Sequence, residues 1–584
     1  VLEHIHYDGD VPQGIAGRDA EPPPSRARPR RAGRGAVLLA VLALVPATGA
    51  LRSAAPSPAR PRLVLFVSVD QFRFDYLDRF ASLYQGGLHR LRTSGAVFAN
   101  ARYRHSSTET GPGHAVLLSG RHGRDTGIVA NDWYDRLSGE VNVVDDAASR
   151  PLPGPGRAAS PVNFLGVTVG DLLKRASPES RVVGVGLKDR AAVLMAGRRA
   201  DAAYWYEPDA GRFGSSTYYM RALPDWLLAW NAEGHVDRLQ GRTWTRLLAD
   251  PGLYEETAGP DDVAGEWDGK DTVFPHRIRG TPPSREFYLD LRRTPYADEL
   301  TLDVALRAMD AHELGRDEAT DLLAVGFAAS DAIGHTYGAD SQEVMDEYLR
   351  LDRVLGRLFE AAEARAGRDG VLLGLSSDHG ALPLVELLRG RGLDARRLPP
   401  SALDEPLHRA LRERYPQAGA LIAHDETPNY YLDLDALRRH GLARAEVEGV
   451  AARAMMATGL VERVYTHAQL LGDPPADDPD FALFRNAFFE PRSPHLIGRL
   501  KPYIYMEDNY TGGSGHGTVH DYDRHVPVAF AGPGIRAGRY ESACGPHDIA
   551  PTLAALLGLP YRLDEGQRVL KEALAAAERP GEGP

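Results

Sequence analysis

Four runs of consecutive apolar residues punctuate this chain. They are "LVLFVSV" at 63–69, the start of "DLLAVGFAASDAIGH" at 321–335, "GVLLGLSSDHG" at 370–380 and "HVPVAFAGPGI" at 525–535. Apolar residues on consecutive rather than alternating positions suit a strand covered on both faces, as in a parallel sheet. Between the runs lie stretches with helical spacing, of which "EVMDEYLRLDRVLGRLFEAAEARA" at 343–366 is the longest. Strands alternating with helices predict an α/β fold with helices on both faces of the sheet. All four runs are read as buried parallel strands.

Two long stretches interrupt this alternation. Residues 200–300 are rich in Trp, Tyr, Gly, Pro and Asp, as in "DAAYWYEPDAGRFGSSTYYM". Residues 385–500 hold helices and a small α/β unit around "HDETPNYYLDLDALRRHG". Both are expected to be insertions on the core that shape a pocket, within one domain spanning 62–560 and followed by a tail at 561–584.

The N-terminal pattern is different. Arg26, Arg28, Arg30, Arg31 and Arg34 precede "AVLLAVLALV" at 36–45, then Pro46 and small residues. A basic region, a short apolar core and a small-residue exit read as a secretory signal peptide within a leader at 1–50, joined by a linker at 51–61. The apolar run falls short of the roughly 20 residues of a membrane span. The expectation is an exported protein, periplasmic or secreted, with no stable membrane span after cleavage. The first residue is Val and the first Met is Met195, so translation is expected to start downstream of residue 1.

Composition narrows the chemistry. The net charge of −12 argues against general nucleic-acid binding, which would show as a basic stripe. An anionic substrate would need a local positive site to offset the acidic surface. The single cysteine, Cys544, excludes an internal disulfide and a four-thiolate zinc site. Any metal must be held by His and carboxylate.

Such residues recur at strand ends. Asp70 follows the first run, Asp331 and His335 follow the second, and Asp378 and His379 follow the third. "GGSGHGTVH" adds His516 and His520. Each alone is an ordinary turn or cap residue. Together, at the carboxyl ends of strands where α/β sheets bind ligands, three Asp and three His would furnish two zinc ions with three protein ligands each. "SSTETGPGHAVLLSG" at 106–120 places Ser106, Ser107, Thr108 and Thr110 at the mouth of a helix. These hydroxyls are either helix caps or include a nucleophile, since a helix start suits a phosphate.

The ordered set is Asp, Thr-x-Pro-x-His, Asp-x-x-x-His, Asp-His and a Gly-flanked His. It resembles the alkaline phosphatase superfamily, in its type I phosphodiesterase and nucleotide pyrophosphatase-like branch. Within that branch it is most similar to the bacterial alkaline phosphatases that use Thr. The resemblance covers roughly residues 60–560. It implies an alkaline phosphatase-like core with a mixed, mostly parallel central sheet and cap-like insertions, two Zn2+ ions and a covalent phospho-enzyme. It implies Thr110 as nucleophile and metal ligand. Asp70, Asp378 and His379 would form one metal site, and Asp331, His335 and His516 the other. Ser106, Ser107 and Thr108 are left as strand-end or capping residues. His114 is given no catalytic role, and His516 is chosen over His520 for its Gly-rich setting.

Two further pieces bear on the substrate. Asn131 in "NDWYD" reads as a turn residue or as a donor to a phosphate oxygen. Lys188 and Arg190 in "GLKDRAA" read as a solvated basic pair or as a phosphate grip. The resemblance implies the grip for all three. A monoester dianion has an extra charged oxygen for such a pair to hold, Arg bidentately and Lys as a point charge. The expected activity is therefore hydrolysis of small phosphate monoesters to alcohol and inorganic phosphate. A phosphodiesterase or pyrophosphatase on the same site, a silent metal-binding surface protein and a phosphate mutase are the alternatives. The absence of a Cys/Ser-x-Pro-x-Arg signature argues against a sulfatase.

Overall fold

The computed structural model describes residues 60–575, save 267–268, 476 and 508–511. The signal pattern, most of the linker and the last residues of the tail lie outside the described residues. The ten-stranded central sheet comprises β1 (Leu63–Val69), β2 (Ala96–Phe98), β3 (Pro151–Leu152), β4 (Val182–Gly186), β5 (Ala202–Glu207), β6 (Arg212–Ser216), β7 (Asp321–Phe327), β8 (Val371–Ser376), β9 (Val528–Ala531) and β10 (Gly538–Tyr540). Their spatial order is β10-β2-β9-β8-β1-β7-β4-β5-β6-β3. The central pairings are parallel, with Leu63 of β1 opposite both Asp321 of β7 and Val371 of β8. The β7–β4 and β4–β5 pairs are parallel too.

The unbroken apolar runs have the expected cause. Every residue of β1, β7 and β8 is buried. Leu65 and Val67 face one side with Tyr348 and Leu355, while Val64 and Phe66 face the other with Leu117 and Leu553. Each such large side chain contributes about 1.5–3 kcal/mol on burial.

The fourth apolar run departs from expectation. β9 pairs antiparallel with β8 and with β2. The chain leaving β8 is bonded to the segment that enters β9: Gly380 N–H donates to Asp523 O and Ala381 N–H to Tyr522 O. The long excursion between them returns to the end of the sheet it left, so β9 must run back the other way. A second departure concerns 200–220. β5 and β6 extend the central sheet rather than belonging to an insertion, with Tyr204, Trp205 and Tyr206 buried among its packed side chains.

Four helices matter for the site: α1 (Thr110–Ser119), α2 (Asp189–Ala196), α3 (Ala329–Tyr337) and α4 (Gln342–Ala366). Ser341 caps α4 by accepting from Val344 N–H, and Gly367, at φ 77°, ends it. Residues 401–500 build a separate four-stranded sheet from Ile422–Glu426, Asn429–Leu432, Leu496–Leu500 and Val461–Thr466, in that order. Helices Ser401–Arg414 and Arg444–Ala457 share with it a core of Leu403, Tyr430, Val447 and Met455. At the other end of the chain, the residues expected as a tail dock onto the core through 575. Leu570 and Ala573 are buried, and Arg536 N–H donates to Ala573 O.

Candidate active site

The carboxyl ends of β8, β1 and β7 lie side by side; the turns leaving β8 and β1 carry Asp378 and His379, and Asp70, while α3, which follows β7, carries Asp331 and His335. Asp70, Asp378 and His379 are wholly buried, and Asp331 nearly so. His516 joins them from the glycine-rich segment ahead of β9. The ligand atoms of Asp331, His335 and His516 all lie within 4.8 Å of one another, as do those of Asp70, Asp331 and His379. Asp331 thus takes part in both sets. Asp378 adjoins the second, its Oδ2 3.4 Å from His379 Nε2.

The surroundings prepare these atoms for a cation. His335 Nδ1 meets Ser514 O at 2.6 Å, His379 Nδ1 meets Gly380 O at 2.9 Å, and His516 Nδ1 meets Thr108 O at 2.9 Å. A ring whose Nδ1–H donates to a carbonyl presents its Nε2 lone pair, as metal-ligating histidines do. His520 instead turns its Nε2 to Leu500 O at 3.0 Å, away from the set. The electrostatics agree. Burial, then the charges of Asp331 and Asp378, push Asp70 well above the usual carboxylate range. Burial pushes His516 well down, with His379 and His335 adding to the effect. Burial opposes ionisation of Asp331, but Lys188 and His335 hold it well below its ordinary value. Three buried carboxylates and three imidazole nitrogens converging on one pocket form a donor set suited to a divalent metal.

Thr110 opens α1 as its first residue, and the preceding Glu109 is the N-cap without a side-chain capping bond. The hydroxyls before it do not cap this helix. Thr108 Oγ1 donates to Thr518 O at 2.7 Å, and Ser107 Oγ donates to Glu109 Oε1 at 3.2 Å. Thr110 Oγ1 lies 3.5 Å from His379 Nε2 and 3.3 Å from Lys188 Nζ. The helix reaches this position because residue 113 is glycine: a Cβ there would sit 2.2 Å from Asp378 O.

Lys188, the N-cap residue of α2, is buried. Its Nζ is 2.6 Å from Asp70 Oδ2 and 2.6 Å from Asp331 Oδ2. Arg190 stands apart from this cluster. Its guanidinium is 3.8 Å from Asp189 Oδ1, and its buried Nε has no partner among the described residues. Asn131 Oδ1 accepts from Gly111 N–H at 2.7 Å, which leaves the side-chain NH2 as the available donor.

Two residues, Glu109 and Gln71, were missed in the sequence, and a third, His114, was noted there without a catalytic role. Glu109 Oε2 accepts from Asn131 N–H at 2.8 Å, and burial raises its carboxyl to about 7. Gln71 bonds Asp378 Oδ1 through its N–H at 3.2 Å and Asp331 Oδ1 through Nε2 at 3.1 Å. It does so from a left-handed backbone, φ 61°, a strain found at functional sites. His114 Nδ1 is 2.8 Å from Thr110 O and 3.2 Å from Asp378 Oδ2. Gln71 could have been flagged by its place beside Asp70. For Glu109 the sequence carries no signal beyond adjacency.

The sheet, its flanking helices and the ligand pocket define an α/β protein with an alkaline phosphatase fold. Residues 64–523 match the family model for type I phosphodiesterase / nucleotide pyrophosphatase, and the chain belongs to that family. It is 31% identical over 543 residues to alkaline phosphatase PafA of Elizabethkingia meningoseptica, covering 90% of this chain and 96% of that protein. It is 30% identical over 520 residues to a Myroides odoratus protein named a calcium-transporting ATPase, covering 86% and 92%. The crystal structure of wild-type PafA matches with a TM-score of 0.81 at 30% identity, over 90% of this chain and all of that one. These likenesses support phosphatase activity, a divalent metal and small phosphate esters as substrates. No helix among the described residues is long and apolar enough to cross a membrane.

Proposed function

We propose that the protein is an exported two-zinc alkaline phosphatase that hydrolyses phosphate monoesters through a phospho-threonine at Thr110. The observation that carries this reading is the position of Thr110 Oγ1, within 3.5 Å of His379 Nε2 and 3.3 Å of Lys188 Nζ, beside two overlapping metal-ligand sets. Asp70, Asp378 and His379 would hold one ion together with Thr110, and Asp331, His335 and His516 the other. Bound there, two divalent ions supply Lewis acidity that favours the alkoxide of the nucleophile and the charge on the leaving oxygen.

The chain's own residues do the rest. Thr110 Oγ attacks phosphorus, forming the Oγ–P bond as the bond to the ester oxygen breaks and the alcohol departs with a proton. Water then cleaves the phospho-threonine to inorganic phosphate and restores the hydroxyl. The Lys188 ammonium would meet the non-bridging oxygens as a point charge and Asn131 would offer its NH2, while Arg190, which stands apart from the cluster here, would have to turn toward the phosphoryl group to join them. Glu109 fixes Asn131 through the backbone. The basic, apolar and small-residue pattern at 26–50 supports export to the periplasm or medium.

Acid quenching during turnover of an aryl phosphate, followed by peptide mass spectrometry, tests the intermediate. A phosphoryl group on the peptide at Thr110 is expected, and its absence there under conditions of rapid turnover would remove the nucleophile assignment.

A further inference from the structure

We propose that the cavity beside Thr110 selects phosphate monoesters whose alcohol carries a positive charge, such as an amino-alcohol phosphate. The inference rests on the phosphatase reading and deepens it. A cavity of about 490 Å3 opens from Asn131, His335 and His516, and its walls include Glu109, Asp132, Glu426, Glu507 and Asp523. Among the described residues, the single arginine on those walls is Arg499, with no lysine. Arg499 is already engaged by Glu462 and Asp480.

This acidity is more than a solvated surface. Asp523 is wholly buried. Its Oδ2 accepts from Thr518 N–H at 2.8 Å and from the Thr518 hydroxyl at 2.6 Å, while its buried Oδ1 has no hydrogen-bond partner among the described residues. Aromatic rings complete the wall. Tyr431 lines the cavity, and Tyr134 packs against it at 5.7 Å and stacks on His424 at 5.2 Å.

Lys188, 3.3 Å from Thr110 Oγ1 and outside the cavity's lining, marks where the phosphoryl group would sit, and carboxylates line the cavity that would take the alcohol. A second anionic group on the alcohol is repelled there, and a neutral alcohol gains nothing. A cationic alcohol meets carboxylates and aromatic faces, both of which attract an ammonium.

The test compares kcat/KM for phosphocholine and ethyl phosphate on the zinc-loaded enzyme, the Asp132→Asn/Glu426→Gln variant and the single Glu426→Gln variant. The ratio of the two substrates within each protein cancels losses common to both. The expected result is a preference for phosphocholine that falls about tenfold in the double variant, and less in the single one. The wild-type preference should also shrink at high salt, which needs no variant to fold. A ratio unchanged by both substitution and salt overturns the inference. If neither ester is turned over, the phosphatase reading fails by itself. Calorimetric binding of the two esters then decides the inference: tighter binding of phosphocholine supports it, and equal binding overturns it.

Discussion

Asn131 accepts a 2.7 Å hydrogen bond from the backbone N–H of Gly111, the residue directly after the nucleophile candidate. One amide end is thereby consumed, and the other must point its hydrogens outward. The orientation of the donor is set by the same first turn that presents Thr110, so the two move as a unit. Asn131→Ala removes the donor and leaves Gly111 N–H without this acceptor. Its kcat/KM for an aryl phosphate should fall by about tenfold to a hundredfold, with zinc content unchanged by elemental analysis.

Glu109 acts one step further back, by holding Asn131 N–H at 2.8 Å. Glu109→Gln keeps an acceptor oxygen in nearly the same place and should retain most of the activity. Glu109→Ala should approach the Asn131→Ala loss, of about tenfold. Equal kinetics for Glu109→Ala and the wild type would show that the backbone holds Asn131 unaided.

Lys188 separates the monoesterase account from a diesterase one. Its ammonium lies 3.3 Å from Thr110 Oγ1, and a monoester offers it one more charged oxygen than a diester does. Lys188→Met should lower monoester kcat/KM by about a hundredfold, or roughly 2.7 kcal/mol, and diester kcat/KM by much less. Parallel losses on both substrates would contradict this discrimination.

The candidate site was legible in the sequence to the extent that it follows strand ends. Asp70 and Asp378 could be read because β1 and β8 are buried on both faces, so the apolar run stops where the chain emerges from the sheet. Asp331 and His335 were legible as an i, i+4 pair after β7. Strand direction was not. The apolar pattern of β9 is the same in either direction, and the contact that reverses it joins Gly380 to Asp523. β5 and β6 were obscured by aromatic and glycine residues that suit loops as well as strands. Gln71 was missed because its meaning lies in a bond to Asp378 across 307 positions. The capping reading of Ser107 and Thr108 was a fair local inference, but the glutamate and a distant carbonyl claim those hydroxyls instead.

A buried histidine cluster predicts how the fold responds to acid. His105 is wholly buried, both its ring nitrogens lack partners among the described residues, and burial lowers its pKa to about 3. Its ring is 5.7 Å from that of His122, which is 5.3 Å from that of His547. Burial lowers the pKa of both neighbours too. A histidine neutral when folded and protonated when unfolded adds stability above the unfolded pKa near 6.5, and that stability is lost as pH falls toward the folded value. For His105 the loss is about 2 kcal/mol by pH 5. Urea unfolding from pH 7 to 5 should show it, and His105→Asn should flatten the pH dependence even if it is less stable throughout. An unchanged slope would assign the acid response elsewhere.

Metal removal should affect stability as well as rate. Burial, then the charges of Asp331 and Asp378, disfavour ionisation of Asp70, so a bound cation would stabilise the folded state. Dialysis against a chelator should lower the melting temperature and abolish turnover, and added zinc should restore both. A melting temperature insensitive to chelation, in protein shown to be free of metal, would mean that the carboxylates are compensated by Lys188 alone.

The central claim is phosphate monoester hydrolysis at Thr110, and matched rates test it most directly. Zinc-loaded wild-type protein and Thr110→Ala would be compared on an aryl phosphate monoester and the corresponding diester. The account predicts a strong monoester preference in the wild type, and loss of that activity in Thr110→Ala by at least about a thousandfold. A diester preference would contradict the substrate claim, and full monoesterase activity in Thr110→Ala would contradict the nucleophile.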